Sequence, residues 1–179
     1  TLDRLKRVDL DAYDKLIMPS GSYGELGNAG TNKVEEWIKG GGDLITMRAA
    51  TQWVAGQDWV NINFDYAEKD STEGMLPYGA RSEKFGAQVI GGSIFQAEMD
   101  LTHPIAYGYT QENIPLFRNN TMFMKVSESA YANPIRYAEN PLLSGYISPK
   151  NLETISGTAA VHVSRMGRGR IIAFTDNPN

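Results

Sequence analysis

One arginine stands where a nucleophile would be looked for. The run Gly40-Gly41-Gly42-Asp43-Leu44-Ile45-Thr46-Met47-Arg48-Ala49-Ala50-Thr51-Gln52-Trp53 reads as a glycine turn, a buried strand, a sharp corner and a new helix. In an open α/β sheet the carboxyl end of a strand faces the ligand crevice, and a strand-to-helix elbow presents one side chain there. Here that position carries Arg48, and the chain has no cysteine to take its place. A guanidinium stays protonated at accessible pH and cannot attack. It offers a fixed charge and a planar fork suited to a carboxylate or other anion, which Ser20, Gly21, Thr51, Gln52 and Asp176 could frame. The competing reading is an internal salt bridge from Arg48 to Asp176 or Glu98.

No catalytic residue is assigned. Ser20-Gly21-Ser22 is a loop and not a Gly-x-Ser-x-Gly elbow, and Thr51 at a helix start reads as a cap. His103 is followed by Pro104 and Ile105 with no glutamate three positions on, and His162 sits in an alternating strand. Neither has metal-ligand spacing, so no metal is assigned to this segment. A hydrolase with a non-cysteine nucleophile stays open if a serine or threonine hydroxyl reaches His103 or His162. Glu98 and Asp100 share one strand face and read as solvated or hydrogen-bonded, and Trp37 and Trp53 as core or interface rather than sugar platforms.

The composition narrows the partners. The chain has 179 residues and a formal net charge of −4, with basic residues scattered among acidic ones. One domain of ordinary size fits that length, and a nucleic-acid surface would need a concentrated basic stripe. Lack of cysteine removes disulfides and thiol chemistry but leaves the compartment open. No apolar run approaches the roughly 18 residues of a membrane helix. The start Thr1-Leu2-Asp3-Arg4 is neither a signal peptide nor an initiator, so the segment reads as part of a longer chain.

These residues need elements to hold them. Lys15-Leu16-Ile17-Met18 predicts a short strand stopped by Pro19-Ser20-Gly21-Ser22. Asn32 with Glu35 predicts a capping box, Val34, Trp37 and Ile38 share a helical face, and Gly40 to Gly42 supply the stop. With the strand ending at Met47 this makes a right-handed βαβ unit that sets Ser20 and Arg48 at one sheet edge, and the elbow helix ends at Gly56. Gln57 to Gly92 reads as an irregular insertion. Ile94 to Asp100 and Met122 to Val126 predict strands, Ile114 to Phe117 an edge strand, and Thr102 to Ile105 a turn or short helix. Two Asn-Pro dipeptides punctuate Tyr131 to Leu143 into turns. Ser148-Pro149 opens a helix through Ile155 with Gly157 as its exit, and Ala159 to Val163 and Arg170 to Phe174 flank a hairpin turn.

Tyr13 to Ser22, the Gly-Gly-Asp-Leu-Ile elbow ending in Gln52, the Thr102-His103-Pro104 turn, Gly167-Arg168-Gly169-Arg170 and Phe174-Thr175-Asp176-Asn177-Pro178 together resemble a class I glutamine amidotransferase-like domain. The resemblance implies an α/β, three-layer sandwich with a mostly parallel sheet of flavodoxin-like type. In active relatives the elbow reads roughly Cys-x-Gly-x-Gln. Placing Gln52 on that glutamine puts Arg48 on the cysteine and Ala50 on the glycine, so the scaffold is implied without its reaction. Asn133-Pro134-Ile135-Arg136-Tyr137, Asn140 to Tyr146 and the Asp176-Asn177-Pro178-Asn179 ending resemble, more narrowly, the version that follows the catalytic domain in bacterial zinc carboxypeptidases of the carboxypeptidase A/T type. That implies a single accessory domain over 1–179, incomplete at both ends, in a secreted or periplasmic protein. Zinc would lie in the parent peptidase domain, which would be its partner. Peptide or cell-wall material is the implied substrate. A free-standing small-molecule or anion-binding module is the alternative.

Overall fold

The computed structural model describes residues 1–66, 77, 79, 86, 88–129 and 131–177. The chain forms two compact units, one of Thr1–Ile62, Ser127–Asn133 and Val161–Asn177, the other of Asn63–Val126, Pro134–Ala160 and Pro178–Asn179.

The first unit is built on three parallel strands. Strand β1 (Lys15–Met18) pairs with β2 (Asp43–Met47), which pairs with β9 (Gly169–Phe174); the registers Met18 to Thr46 and Thr46 to Ala173 align their carboxyl ends. β8 (Ala159–Met166) returns antiparallel beside β9 through the Gly167-Arg168 turn. Gly167 has φ +61°, and a Cβ there would stand 2.7 Å from the Lys39 carbonyl oxygen. Arg168 N–H donates to that same carbonyl at 3.0 Å, so the hairpin turn is seated on the end of helix α2 (Gly27–Gly40). Only glycine combines that backbone with that approach.

Helix α2 begins at Gly27 instead of near Asn32, which corrects the predicted capping box. Its buried positions Gly30, Val34, Trp37 and Ile38 extend the apolar stripe one turn toward the amino end, where it packs on α1 (Leu2–Arg7). Lys33 of α2 donates to the Lys6 carbonyl at 3.0 Å, which satisfies an acceptor left open at the end of α1. Tertiary packing therefore overrides the local cap signal. At its other end α2 stops as the glycines predict: Gly41 takes φ +129° and Gly42 N–H closes on the Trp37 carbonyl at 3.1 Å. Trp37 is buried and its indole donates to the Tyr13 carbonyl at 3.1 Å.

Both helices that cover these strands lie on one face. A Cβ on Gly169 would run into the backbone of Ile38, and Thr46, on the same side as Gly169, bonds to Thr51 of α3 (Ala49–Ala55). The opposite face carries Ile17, Ile45, Met47, Ile172 and Phe174, of which Ile17 is 57% exposed and the others half-buried.

The second unit is antiparallel. β3 (Phe64–Tyr66) pairs with β6 (Met122–Met124), and β4 (Ser93–Met99) lies between β5 (Asn113–Arg118) and β7 (Ile135–Ser144). Pro115 sits in β5 as predicted for an edge strand, opposite Gln96. The ten-residue β7 overturns the expectation of turns across Tyr131 to Leu143. Between the pairs Phe95 with Leu142 and Ala97 with Tyr137 the register slips, so the ladder passes Asn140-Pro141 in a bulge where proline needs no partner. Helix α4 (Pro149–Ile155) starts at Ser148, whose hydroxyl accepts from Asn151 N–H at 3.3 Å, and Gly157 follows it with φ +68°. Within the span read as an insertion, β3 is regular; residues 67–76, 78, 80–85 and 87 lie outside the described residues.

The fold is thus mixed α/β, and the mostly parallel sheet is corrected. Only β1 with β2 and β2 with β9 are parallel; the other described pairings of strands run antiparallel. Alternating and continuous apolar runs do not report strand direction unless a helical crossover joins them.

Candidate functional site

The elbow is formed, and its backbone is strained. Arg48, between β2 and α3, has φ +52° and ψ −114°, a conformation that favours glycine. Three hydrogen bonds hold it there. Arg48 N–H donates to the Phe174 carbonyl at 3.0 Å, and the Arg48 carbonyl accepts from Thr51 N–H at 2.9 Å and Gln52 N–H at 3.2 Å.

Thr51 is fully buried, and its hydroxyl donates to the Phe174 carbonyl at 2.8 Å and lies 2.9 Å from the Thr46 hydroxyl. It ties α3 to the ends of β2 and β9; no side chain caps α3. The cap reading of Thr51 is therefore corrected, because the strained elbow turns its hydroxyl toward strand carbonyls instead of helix amides.

The registers bring Ser20, Arg48 and Asp176 to the carboxyl ends of three adjacent strands. Ser20 follows Met18 by two residues, Arg48 follows Thr46 by two, and Asp176 follows Ala173, the partner of Thr46, by three. Ser20 and Gly21 are exposed in the loop after β1. Tyr23 fastens that loop: its hydroxyl donates to the Pro19 carbonyl at 2.6 Å, and its ring centroid lies 5.7 Å from that of Trp53 in α3. Trp53 in turn meets Trp59 edge to face at 5.4 Å. Burial raises the Tyr23 pKa, which keeps its phenol protonated and donating. Gln52 is half-buried at the start of α3. Asp176 is buried and accepts from the Thr175 hydroxyl at 2.8 Å.

Arg48 is half-buried, and its guanidinium has neither a hydrogen bond nor an ion pair with any described residue. The expected bridge to Asp176 or Glu98 is not formed. Glu98 lies on β4 in the other unit, opposite Arg136 in register.

At the amino ends of the same strands lies a charge cluster that sequence reading missed. Arg170 grips Asp43 with Nε to Oδ1 at 2.9 Å and Nη2 to Oδ2 at 2.7 Å, and Lys15 Nζ reaches Oδ2 at 2.9 Å. The Arg170 hydrogen bonds hold the Asp43 carboxyl below the usual aspartate range against the opposing effect of burial. Which cation meets Asp43 depends on parallel register, which no local pattern encodes.

The histidines are structural. His162 is buried on β8 with Nδ1 3.4 Å from the Asn133 amide nitrogen, and desolvation lowers its pKa, so it is neutral at pH 7. His103 Nδ1 accepts from Ile105 N–H at 3.2 Å and caps the short turn Pro104–Ala106. Among the described residues neither imidazole bonds a serine or threonine hydroxyl, and no three His, Asp or Glu side chains converge to hold a metal ion. No described helix is long and apolar enough to cross a membrane.

No family model matches the sequence, and no curated protein does. Among solved structures the chain is similar to a β-galactosidase from Bacillus circulans sp. alkalophilus, with 12% identity over 97% of this chain and TM-score 0.52. It is also similar to a putative ThuA-like protein from Parabacteroides merdae, with 14% identity over 94% of this chain and TM-score 0.51. It spans 22% of the first and 61% of the second. These likenesses are of fold. They correct the resemblance to a domain of zinc carboxypeptidases, since the structures matched are a β-galactosidase and a ThuA-like protein instead. Short motifs such as Asn-Pro carried that resemblance, and in β7 one of them forms a bulge that any sheet can use. The parent zinc, the peptidase partner and a secreted location rested on that likeness alone.

Proposed function

We propose that this chain is a non-catalytic, amidotransferase-like accessory module that packs within a larger protein. The observation that carries the reading is Arg48: the backbone keeps the strained corner of a nucleophile elbow while the side chain on it cannot attack. The ThuA-like neighbour is compatible with a flavodoxin-like or amidotransferase-like arrangement, and the parallel β1, β2 and β9 with the helix after β2 support that finer assignment.

Packing is supported by the partly exposed second face of those strands. A parallel sheet is ordinarily buried on both faces. Here α2 and α3 cover one face, and Ile17, Ile45, Met47, Ile172 and Phe174 leave the other partly open. The β-galactosidase neighbour is a chain of which this fold makes up about a fifth, which fits a module carried by a larger enzyme.

The test is ammonia release. Incubated with glutamine, asparagine and peptide amides, the chain is expected to release none above the buffer rate. Release that Arg48→Ala or Ser20→Ala abolishes would overturn the reading.

A further inference from the structure

The elbow arginine is better built for a ligand than for the fold. Three observations converge on it. Arg48 is half-buried, and its side chain has no hydrogen-bond or ion-pair partner among the described residues. It sits at the carboxyl ends of parallel strands, where open α/β sheets place their ligands. It is held in a positive-φ backbone conformation that is strained for any residue but glycine.

A second wall stands beside it. The Tyr23 hydrogen bond to Pro19 and the Tyr23–Trp53–Trp59 ring contacts clamp the loop after β1 against α3, the helix that Arg48 opens. Ser20 lies on that clamped loop, exposed, with no hydrogen bond among the described residues. Trp53 and Trp59 are half-exposed. The nearby carboxylate of Asp176 does not compete for the arginine, being buried and engaged by Thr175. The Arg48 amide already donates to the Phe174 carbonyl, so binding by this residue falls to its guanidinium fork.

We propose that Arg48 and Ser20 bind the carboxylate of a small molecule whose flat or apolar body rests toward Tyr23, Trp53 and Trp59. The fork accepts both carboxylate oxygens in parallel, the geometry that separates a carboxylate from a spherical or tetrahedral anion. The aromatic side adds apolar contact that a bare ion would not use.

Sodium benzoate is the probe, with acetate and sulfate beside it, and tryptophan fluorescence with isothermal titration as readouts. Benzoate is expected to bind saturably and more tightly than acetate or sulfate. Arg48→Gln should weaken it about tenfold or more, the loss of a charge-assisted pair. Arg168→Gln, on an exposed turn, should leave it unchanged. Arg48→Lys keeps charge and length without the fork and should still weaken binding, which guards against a Gln variant that misfolds. No saturable benzoate binding, sulfate binding as tight as benzoate, or full affinity in Arg48→Lys would each overturn the proposal. None of these outcomes bears on ammonia release, so the accessory-module reading stands or falls separately.

Discussion

The two units handle a charged side chain in opposite ways. In the second unit Arg118 is 1% exposed, yet Nε donates to the Asn120 carbonyl at 3.1 Å and Nη1 to the Tyr137 hydroxyl at 3.1 Å. Nη2 donates to the Met122 carbonyl, and the guanidinium carbon lies 5.2 Å and 5.3 Å from the Phe123 and Tyr137 ring centroids. That arginine is consumed by the fold. In the first unit Arg48 is less buried and has no such partners among the described residues. Partnering therefore separates a structural charge from an available one, and depth of burial does not.

The sharpest way to break this contrast is Arg118→Met. It keeps some apolar bulk but strands the Met122 and Asn120 carbonyls, and should cost about 3 kcal/mol, read as a lower midpoint in urea unfolding. A loss under about 0.5 kcal/mol would mean that the cage around Arg118 is dispensable.

Asp43→Asn comes next. Its partners Arg170 and Lys15 are half-exposed or more, so solvent screens the cluster and the expected loss is about 1 kcal/mol at pH 7. The folded carboxyl titrates below its unfolded value, so its contribution is complete above about pH 4 and fades as pH falls through the folded value. The stability gap between wild type and Asp43→Asn should accordingly close in acid. A gap that widened there would refute the assignment.

The smallest effect has the opposite sign. Arg48→Gly relieves the positive φ and should raise stability by about 0.5–1 kcal/mol while removing the anion-binding group. Thermal melts check the first expectation and benzoate titration the second. A destabilised glycine variant would show that the guanidinium does structural work after all.

Much of the first unit was legible because its signals are local. Lys15 to Met18 is a short apolar run stopped by proline and glycine, and Gly40 to Gly42 followed by Asp43 to Met47 marks a helix end and a strand without reference to anything distant. Ser148-Pro149 likewise names its helix start by cap chemistry alone. The same local reading misjudged Asn32, where an earlier packing stripe moved the helix start to Gly27, and Asn140-Pro141, where a bulge let the strand run on.

For the site, the elbow and its arginine could be read from residue order, since a glycine turn, a five-residue strand and a helix leave one position at the corner. The partners of that corner could not. Thr51 reads as a cap until Phe174, 123 residues on, supplies the carbonyl that accepts its hydrogen bond. The Asp43 cluster needs residues from three strands.

The amino acids alone determined that no thiol attacks here, that the corner after Met47 carries a permanent positive charge, and that short strands and helices alternate along the first part of the chain. These follow from side-chain chemistry and from turns spanning a few residues. Only the tertiary structure decided which strands run parallel, which cations hold Asp43 and that Arg48 has no partner among the described residues. Strand order and register are set by burying apolar faces far apart in sequence, and a charge has a partner only where that burial delivers one.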